Sequence, residues 1–153
     1  RSGKDDAAQM NHEHYSDAYI SGILSACKSI ALVGASPNQA RPSYGVMRFL
    51  LSKGYKVTPI NPGQAGGTLL GEPAFADLAS IPDAASVDMV DIFRQSDAVP
   101  AIVDQALAHL PNLRVIWMQL GVVHEGAAAT ARAAGVTVVM NRCPAIDWPR
   151  LIG

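Results

Sequence analysis

Short apolar runs of strand length alternate along this chain with longer stretches in which apolar residues recur every three or four positions. Ile30, Ala31, Leu32 and Val33 form a continuous run, as expected of a strand covered on both faces by helices. Lys56 to Ile60, Val87 to Phe93, Arg114 to Met118 and Val136 to Met140 are further strand candidates. Between them lie helical patterns. Ser16 is a plausible N-cap for Tyr19, Ile20, Ile23, Leu24 and Cys27. Tyr44 to Ser52 carries Val46, Met47, Phe49, Leu50 and Leu51, with Pro42 suited to the helix start and Gly54 to its stop. Ser96 or Asp97 can cap a helix from Val99 to Leu110, and the alanine-rich segment Gly126 to Ala134 stops at Gly135. Phe75 to Ile81 reads as a helical turn delivering Leu78 and Ile81 to the core. Gln64 to Gly71 reads as a flexible glycine-rich connection, and little of the sequence remains beyond Pro144. The alternation predicts an α/β fold: an open, mostly parallel sheet with helices on both faces and right-handed crossovers.

Composition narrows this to one domain. With 153 residues, 49% hydrophobic and 16% charged, the chain has material for a single core, which we place at residues 15–153. Residues 1–14 are polar and expected to be loose, with His12 and His14 exposed. A net charge of −1 offers no general attraction to nucleic acid or to an anionic membrane, so any anion must be bound locally. The apolar runs fall far below the ~20 residues of a spanning helix. Cys27 and Cys143 are far apart and make no metal-ligand spacing, and no leading segment resembles a signal peptide. The expectation is a reduced, cytoplasmic protein with no metal, in which Cys27 is a packed core residue.

The candidate chemistry gathers at strand ends. Gly34, Ala35 and Ser36 follow the first strand, and the helix opening near Ser43 offers amides and a positive dipole end to an anion. Pro37, Asn38, Gln39 and Arg41 decorate the intervening loop. The second strand ends in Asn61, Pro62 and Gly63, the third in Phe93 and Arg94, and the last in Asn141, Arg142, Cys143 and Pro144. Phe93 and Arg94 can stack on a base or grip a phosphate, or serve as a core residue and a surface charge. Nucleotide binding is the function these ends imply. Which nucleotide is narrowed by what is missing. The first turn has one glycine rather than GxGxxG, and the second strand ends in Asn-Pro rather than an acidic residue, so NAD is disfavoured. Asp88 and Asp91 have opposite parity, so a regular strand cannot pair them on one face. Both are read as structural, facing solvent or bonded to backbone. His124 is read as a loop residue, since no partner carboxylate or nucleophile is evident from spacing.

VGASPNQARPSYGV, GYKVTPINPG, VDMVDIFR, VIWMQLGVVHEGAAATARAAG and VVMNRCP together resemble the CoA-binding protein family. These are small bacterial domains similar to the nucleotide-binding N-terminal domain of the succinyl-CoA synthetase alpha subunit. The resemblance runs from about Ser29 to Ile146. It implies a Rossmann-like fold whose loops hold coenzyme A, or an acyl-CoA, through its ADP and pyrophosphate parts. Carried over by position, Ser36, Pro37, Asn38 and Gln39 form the first contacting loop, with Arg41 and Ser43 beside it. Asn61 and Pro62 fall at the second, and Met118 and Gln119 at the strand end lining the cofactor. Gln64 stands where the related domain has lysine, a charge that Arg41 or Arg94 is expected to supply. The ligase domain and second subunit of the synthetase have no counterpart in this sequence, so the chain alone is not expected to be a CoA ligase.

The expected function is a CoA or acyl-CoA carrier, sensor or accessory module without catalysis of its own. The alternatives are an NAD(P)-linked oxidoreductase, a CoA-dependent transferase using His124 or Cys143, and a regulator sensing another adenine nucleotide. Trp117, Trp148 and the apolar helices could support a homodimer or contact with another protein.

Overall fold

The computed structural model describes residues 14–153. The expected loose segment, with His12, falls on residues 1–13 and so lies outside the described residues; His14 is exposed. Five strands form one parallel sheet: β1 (Ser29–Val33), β2 (Lys56–Ile60), β5 (Met89–Ile92), β6 (Val115–Met118) and β7 (Thr137–Val139), in the order β2-β1-β5-β6-β7. The chain runs from β1 out to β2, then returns to the other side of β1 as β5. That reversal opens a crevice at the carboxyl ends of β1 and β5.

Alternation along the strands divides the core into two layers. Ala31, Val33, Val90, Ile92, Ile116 and Met118 meet α3 (Val99–His109) and α4 (Glu125–Ala133). Ile30, Leu32, Met89, Val115 and Trp117 meet α1 (Asp17–Ala26), α2 (Pro42–Ser52) and α5 (Pro144–Leu151). Burial of both faces explains why β1 is apolar at nearly every position. The helices begin and end largely as their sequences dictate. Ser16 Oγ accepts the Tyr19 amide at 3.2 Å, Pro42 opens α2, and Gly54 follows it with φ +91.

Both sheet edges are covered. On β7, Tyr15 Oη accepts the Met140 amide at 2.7 Å and Tyr19 donates to the Val138 carbonyl at 2.8 Å, so two stacked tyrosines of the α1 region occupy an otherwise open ladder. Desolvation raises the Tyr15 pKa to about 12, which keeps the hydroxyl protonated. On β2, Phe75 takes the outer position through Phe75 N–H to Pro59 O and Asn61 N–H to Phe75 O.

Three expectations are corrected. The segment read as a flexible connection forms a 3-10 turn (Pro62–Gln64) and a two-stranded hairpin, β3 (Thr68–Leu69) and β4 (Glu72–Pro73), closed by Leu70 and Gly71 at positive φ. Ser96 and Asp97 do not cap α3. They form a 3-10 turn running into it, and Ser96 Oγ instead accepts the Val123 amide at 3.0 Å. The chain beyond Pro144 is a helix, α5, whose Trp148 meets Phe49 edge-on at 6.0 Å and lies 4.8 Å from Lys53 Nζ.

Asp91 is the third. Asp88 fits its structural reading, accepting the Lys28 and Ser29 amides. Asp91 neither faces solvent nor bonds to backbone. It is 0% exposed, paired in register with Leu32 and Trp117, and neither carboxylate oxygen has a partner among the described residues. Desolvation raises its pKa well above the usual carboxylate range.

Candidate functional site

A cavity of about 1030 Å³ straddles the carboxyl edge of the sheet. It reaches from Asn61 and Pro62 after β2, past the β1 and β5 ends, to Leu120 after β6 and Cys143 at the start of α5. At its centre the chain is forced together. Gly34 has φ +89, and a Cβ there would overlap the Phe93 carbonyl oxygen and lie 3.2 Å from Arg94 Cδ. Glycine at this position is thus required by the crossing of two strand ends, whatever ligand approaches it.

The surrounding loop is braced from within. Gly34 and Ala35 amides both donate to Ile60 O, joining the β1 and β2 ends. Asn61 Nδ2 donates to Ala35 O at 2.7 Å while its Oδ1 accepts the Gly63 amide at 2.9 Å. Asn61 therefore holds the loops in place with both ends of its amide. Ser36 Oγ accepts the Asn38 amide and Asn38 Oδ1 accepts the Ala40 amide, which turns the chain into α2. No side chain caps α2, its first turn holds no acidic residue, and Ser43 in that turn lines the cavity. The positive dipole end of the helix thus meets no side-chain acceptor. Arg41 and Arg94 are exposed at the cavity and, among the described residues, pair with no carboxylate.

Ten of the sequence-predicted residues come together around this cavity: Gly34, Ala35, Ser36, Arg41, Ser43, Asn61, Pro62, Phe93, Arg94 and Gln119. Phe93 is half-buried, packed on the core and lining the cavity. Pro37, Asn38 and Gln39 stand outside, exposed on the loop. Met118 is corrected. It is 0% exposed in the α3 and α4 layer and does not reach the cavity. Its neighbour Gln119 does, at 5% exposure, with an Oε1 that has no partner among the described residues.

Sequence reasoning missed the far walls. Ile102 and Gln105 of α3 and Ala145 and Ile146 of α5 line the cavity, with Asp77 and Leu78 beyond the hairpin. Leu120 and Ile146 are large apolar residues left 54% and 59% exposed at this site, which the fold reveals and the sequence pattern does not. Gln105 Oε1 accepts the Leu78 amide at 3.2 Å, and Asp77 Oδ1 is taken by Ser80, so these polar groups brace the wall. His124 caps α4, its Nδ1 accepting the Ala127 amide at 3.0 Å, in keeping with a loop role. Among the described residues no cluster of three or more His, Cys, Asp and Glu side chains could hold a metal ion, and no helix is long and apolar enough to cross a membrane.

Comparison with known proteins agrees with this fold. An uncharacterized protein of Bacillus subtilis, YneT, is 34% identical over 128 residues, covering 84% of this chain and 90% of its own. A hypothetical protein from Pyrococcus horikoshii superposes with a TM-score of 0.82 at 35% identity, covering 90% of this chain and 93% of that one. The dinucleotide-forming acetyl-coenzyme A synthetase of Ca. Korarchaeum cryptofilum, in complex with phosphate and ADP, matches 72% of this chain at 26% identity and a TM-score of 0.61. The match spans 25% of that enzyme. Residues 28–149 match the CoA binding domain, and the chain belongs to that family.

Proposed function

We propose that the chain binds coenzyme A or an acyl-CoA across the carboxyl edge of its sheet and acts as a carrier, sensor or accessory module. The length of the cavity carries this reading. It runs from Asn61 and Pro62 at the β2 end, past β1 and β5, to Leu120 after β6, three strand spacings or about 14 Å at roughly 4.8 Å each. A mononucleotide leaves much of such a cleft empty, whereas a nucleotide with an extended arm fills it. The volume suits a large ligand, as binding clefts are roughly 300–1,000 Å³.

The groups present fit the two chemical ends of that ligand. At one end are the uncapped start of α2, Ser36 and Ser43, and the cations Arg41 and Arg94, which suit phosphate. The arginines stand in for the lysine that Gln64 replaces. Phe93 supplies a ring face beside them. At the other end Leu120, Val122, Ala145 and Ile146 make an apolar wall suited to a pantetheine arm or an acyl group.

An NAD-linked reading finds no support here. Asn61 stands where an acidic ribose partner is needed, and both ends of its amide are committed to backbone. Calorimetric titration of the full chain, freed of carried-over ligand, tests the proposal with CoA, ADP, pantetheine and NAD. The expected order is CoA tightest, ADP and pantetheine each weaker and NAD silent. Tight NAD binding with no response to CoA would refute it.

A further inference from the structure

Both cysteines are buried, Cys27 at 1% and Cys143 at 6% exposed, but they border different spaces. Cys27, at the end of α1, is 1% exposed and does not line the large cavity; burial, reinforced by the nearby Asp88 charge, pushes its thiol pKa up to about 12. Cys143, at the start of α5, lines the cavity and has no disulfide partner. We propose that Cys143 is a thiol–disulfide exchange site, taking up the sulfur end of the ligand when CoA arrives as a disulfide. This rests on the CoA reading above.

A cysteine in a wall would not carry the inference by itself. The second observation is Gln119, whose polar side chain lines the same cavity, is 95% withdrawn from solvent and leaves Oε1 without a partner. A buried acceptor of this kind calls for a donor. The amide N–H groups of a pantetheine arm are donors of the right type, and an arm passing Gln119 continues toward the wall that holds Cys143. The Arg142 amide donates to the Met118 carbonyl at the β6 end, which sets the adjoining Cys143 near Gln119, two strand spacings or about 10 Å from β1. The wall there is Leu120, Val122, Ala145 and Ile146, and the nearby Asp147 carboxylate is taken up by Arg142 and Arg150.

The exchange balances without an outside oxidant. The Cys143 sulfur, as thiolate, attacks the CoA-side sulfur of a CoA disulfide. A protein–S–S–CoA bond forms and the ligand's own S–S bond breaks. Its other half leaves as a thiolate, which takes up the proton Cys143 gave up.

Reduced full chain is incubated with CoA disulfide and, separately, with glutathione disulfide, and followed by intact mass and peptide mapping. The expected result is one CoA adduct, mapped to the Cys143 peptide and released by dithiothreitol. It should form about 10-fold or more faster than the glutathione adduct because binding positions the reacting sulfurs. The adduct should persist in Cys27→Ser and vanish in Cys143→Ser. An adduct on Cys27, equal rates with the two disulfides, or no adduct on protein that takes up reduced CoA in calorimetry would each overturn the proposal while leaving the CoA reading standing. Absence of both CoA heat and adduct would overturn the two together.

Discussion

At Gly34 the ends of two strands come so close that no side chain fits between them. The positive φ adds to the collision with the Phe93 carbonyl, and the obstacle is backbone, which cannot rotate away. Gly34→Ala should therefore cost about 2–4 kcal/mol, the sum of backbone strain and overpacking. It should lower the midpoint of urea unfolding, and a wild-type midpoint would contradict the geometry. Asp91 is a different kind of residue. Its carboxyl is held among Leu32 and Trp117 with no partner, so its folded pKa is raised above the unfolded one. The folded state then binds more protons than the unfolded state, and stability falls as pH rises from the unfolded pKa, near 4, toward the folded value. Asp91→Asn should remove this downward slope and leave the variant the more stable near neutral pH. Urea unfolding of the two proteins at several pH values checks it, and parallel pH profiles would contradict it. The single glycine of the first turn was legible in the sequence, but its reason was not. The strand crossing is what needs it. The burial of Asp91 was illegible because parity separates it from Asp88 without saying which of the two faces is closed. Met118 and Gln119 show the same limit: adjacent in sequence, they go to opposite fates because one points into the core layer and the other toward the edge.

Among the elements, strands and long helices were readable because they bury whole faces, and their periods follow from that burial. The hairpin of β3 and β4 was not, since two-residue strands have no period to detect and Leu70 at positive φ is an unusual turn residue. Helix α5 was hidden by Pro149 within it, a residue that argues against helix in any sequence. Tertiary bonds hold it. Asp147, 2% exposed, receives Arg142 through two nitrogens at 3.1 and 2.7 Å and Arg150 at 3.2 Å, and Arg150 also reaches Asp17 of α1. Trp117 Nε1 donates to the Arg142 carbonyl at 2.9 Å, tying the start of this segment to β6. Trp148 fills the space against Phe49 and Lys53. Trp148→Ala should thus destabilise the whole domain by about 2–3 kcal/mol, below the full cost for a buried tryptophan because the side chain is half-exposed. Thermal unfolding should show a single transition at lower temperature. An unchanged transition would mean that α5 is not coupled to the core.

At the scale of the molecule, the parallel sheet brings to one edge residues that are distant in sequence: Ser36, Asn61, Arg94, Gln119 and Cys143. The strand-end clusters were readable in the sequence because topology places every strand end of a parallel sheet on the same side. The α3 and α5 walls were not, because periodicity identifies the apolar face of a helix and not how far its ends overhang the sheet. The central claim is that CoA lies lengthwise along this edge, with phosphate at α2 and sulfur toward α5. Amide chemical-shift mapping of the isotopically labelled chain during titration with CoA tests it most directly. The account predicts saturating shifts at both ends of the cleft, at Ser36 and Ser43 and at Leu120 and Ile146. The amides of Cys27 and Arg114, at the opposite edge of the sheet, should stay still. Shifts confined to Cys27 and Arg114, or none with folded protein at saturating CoA, would contradict it.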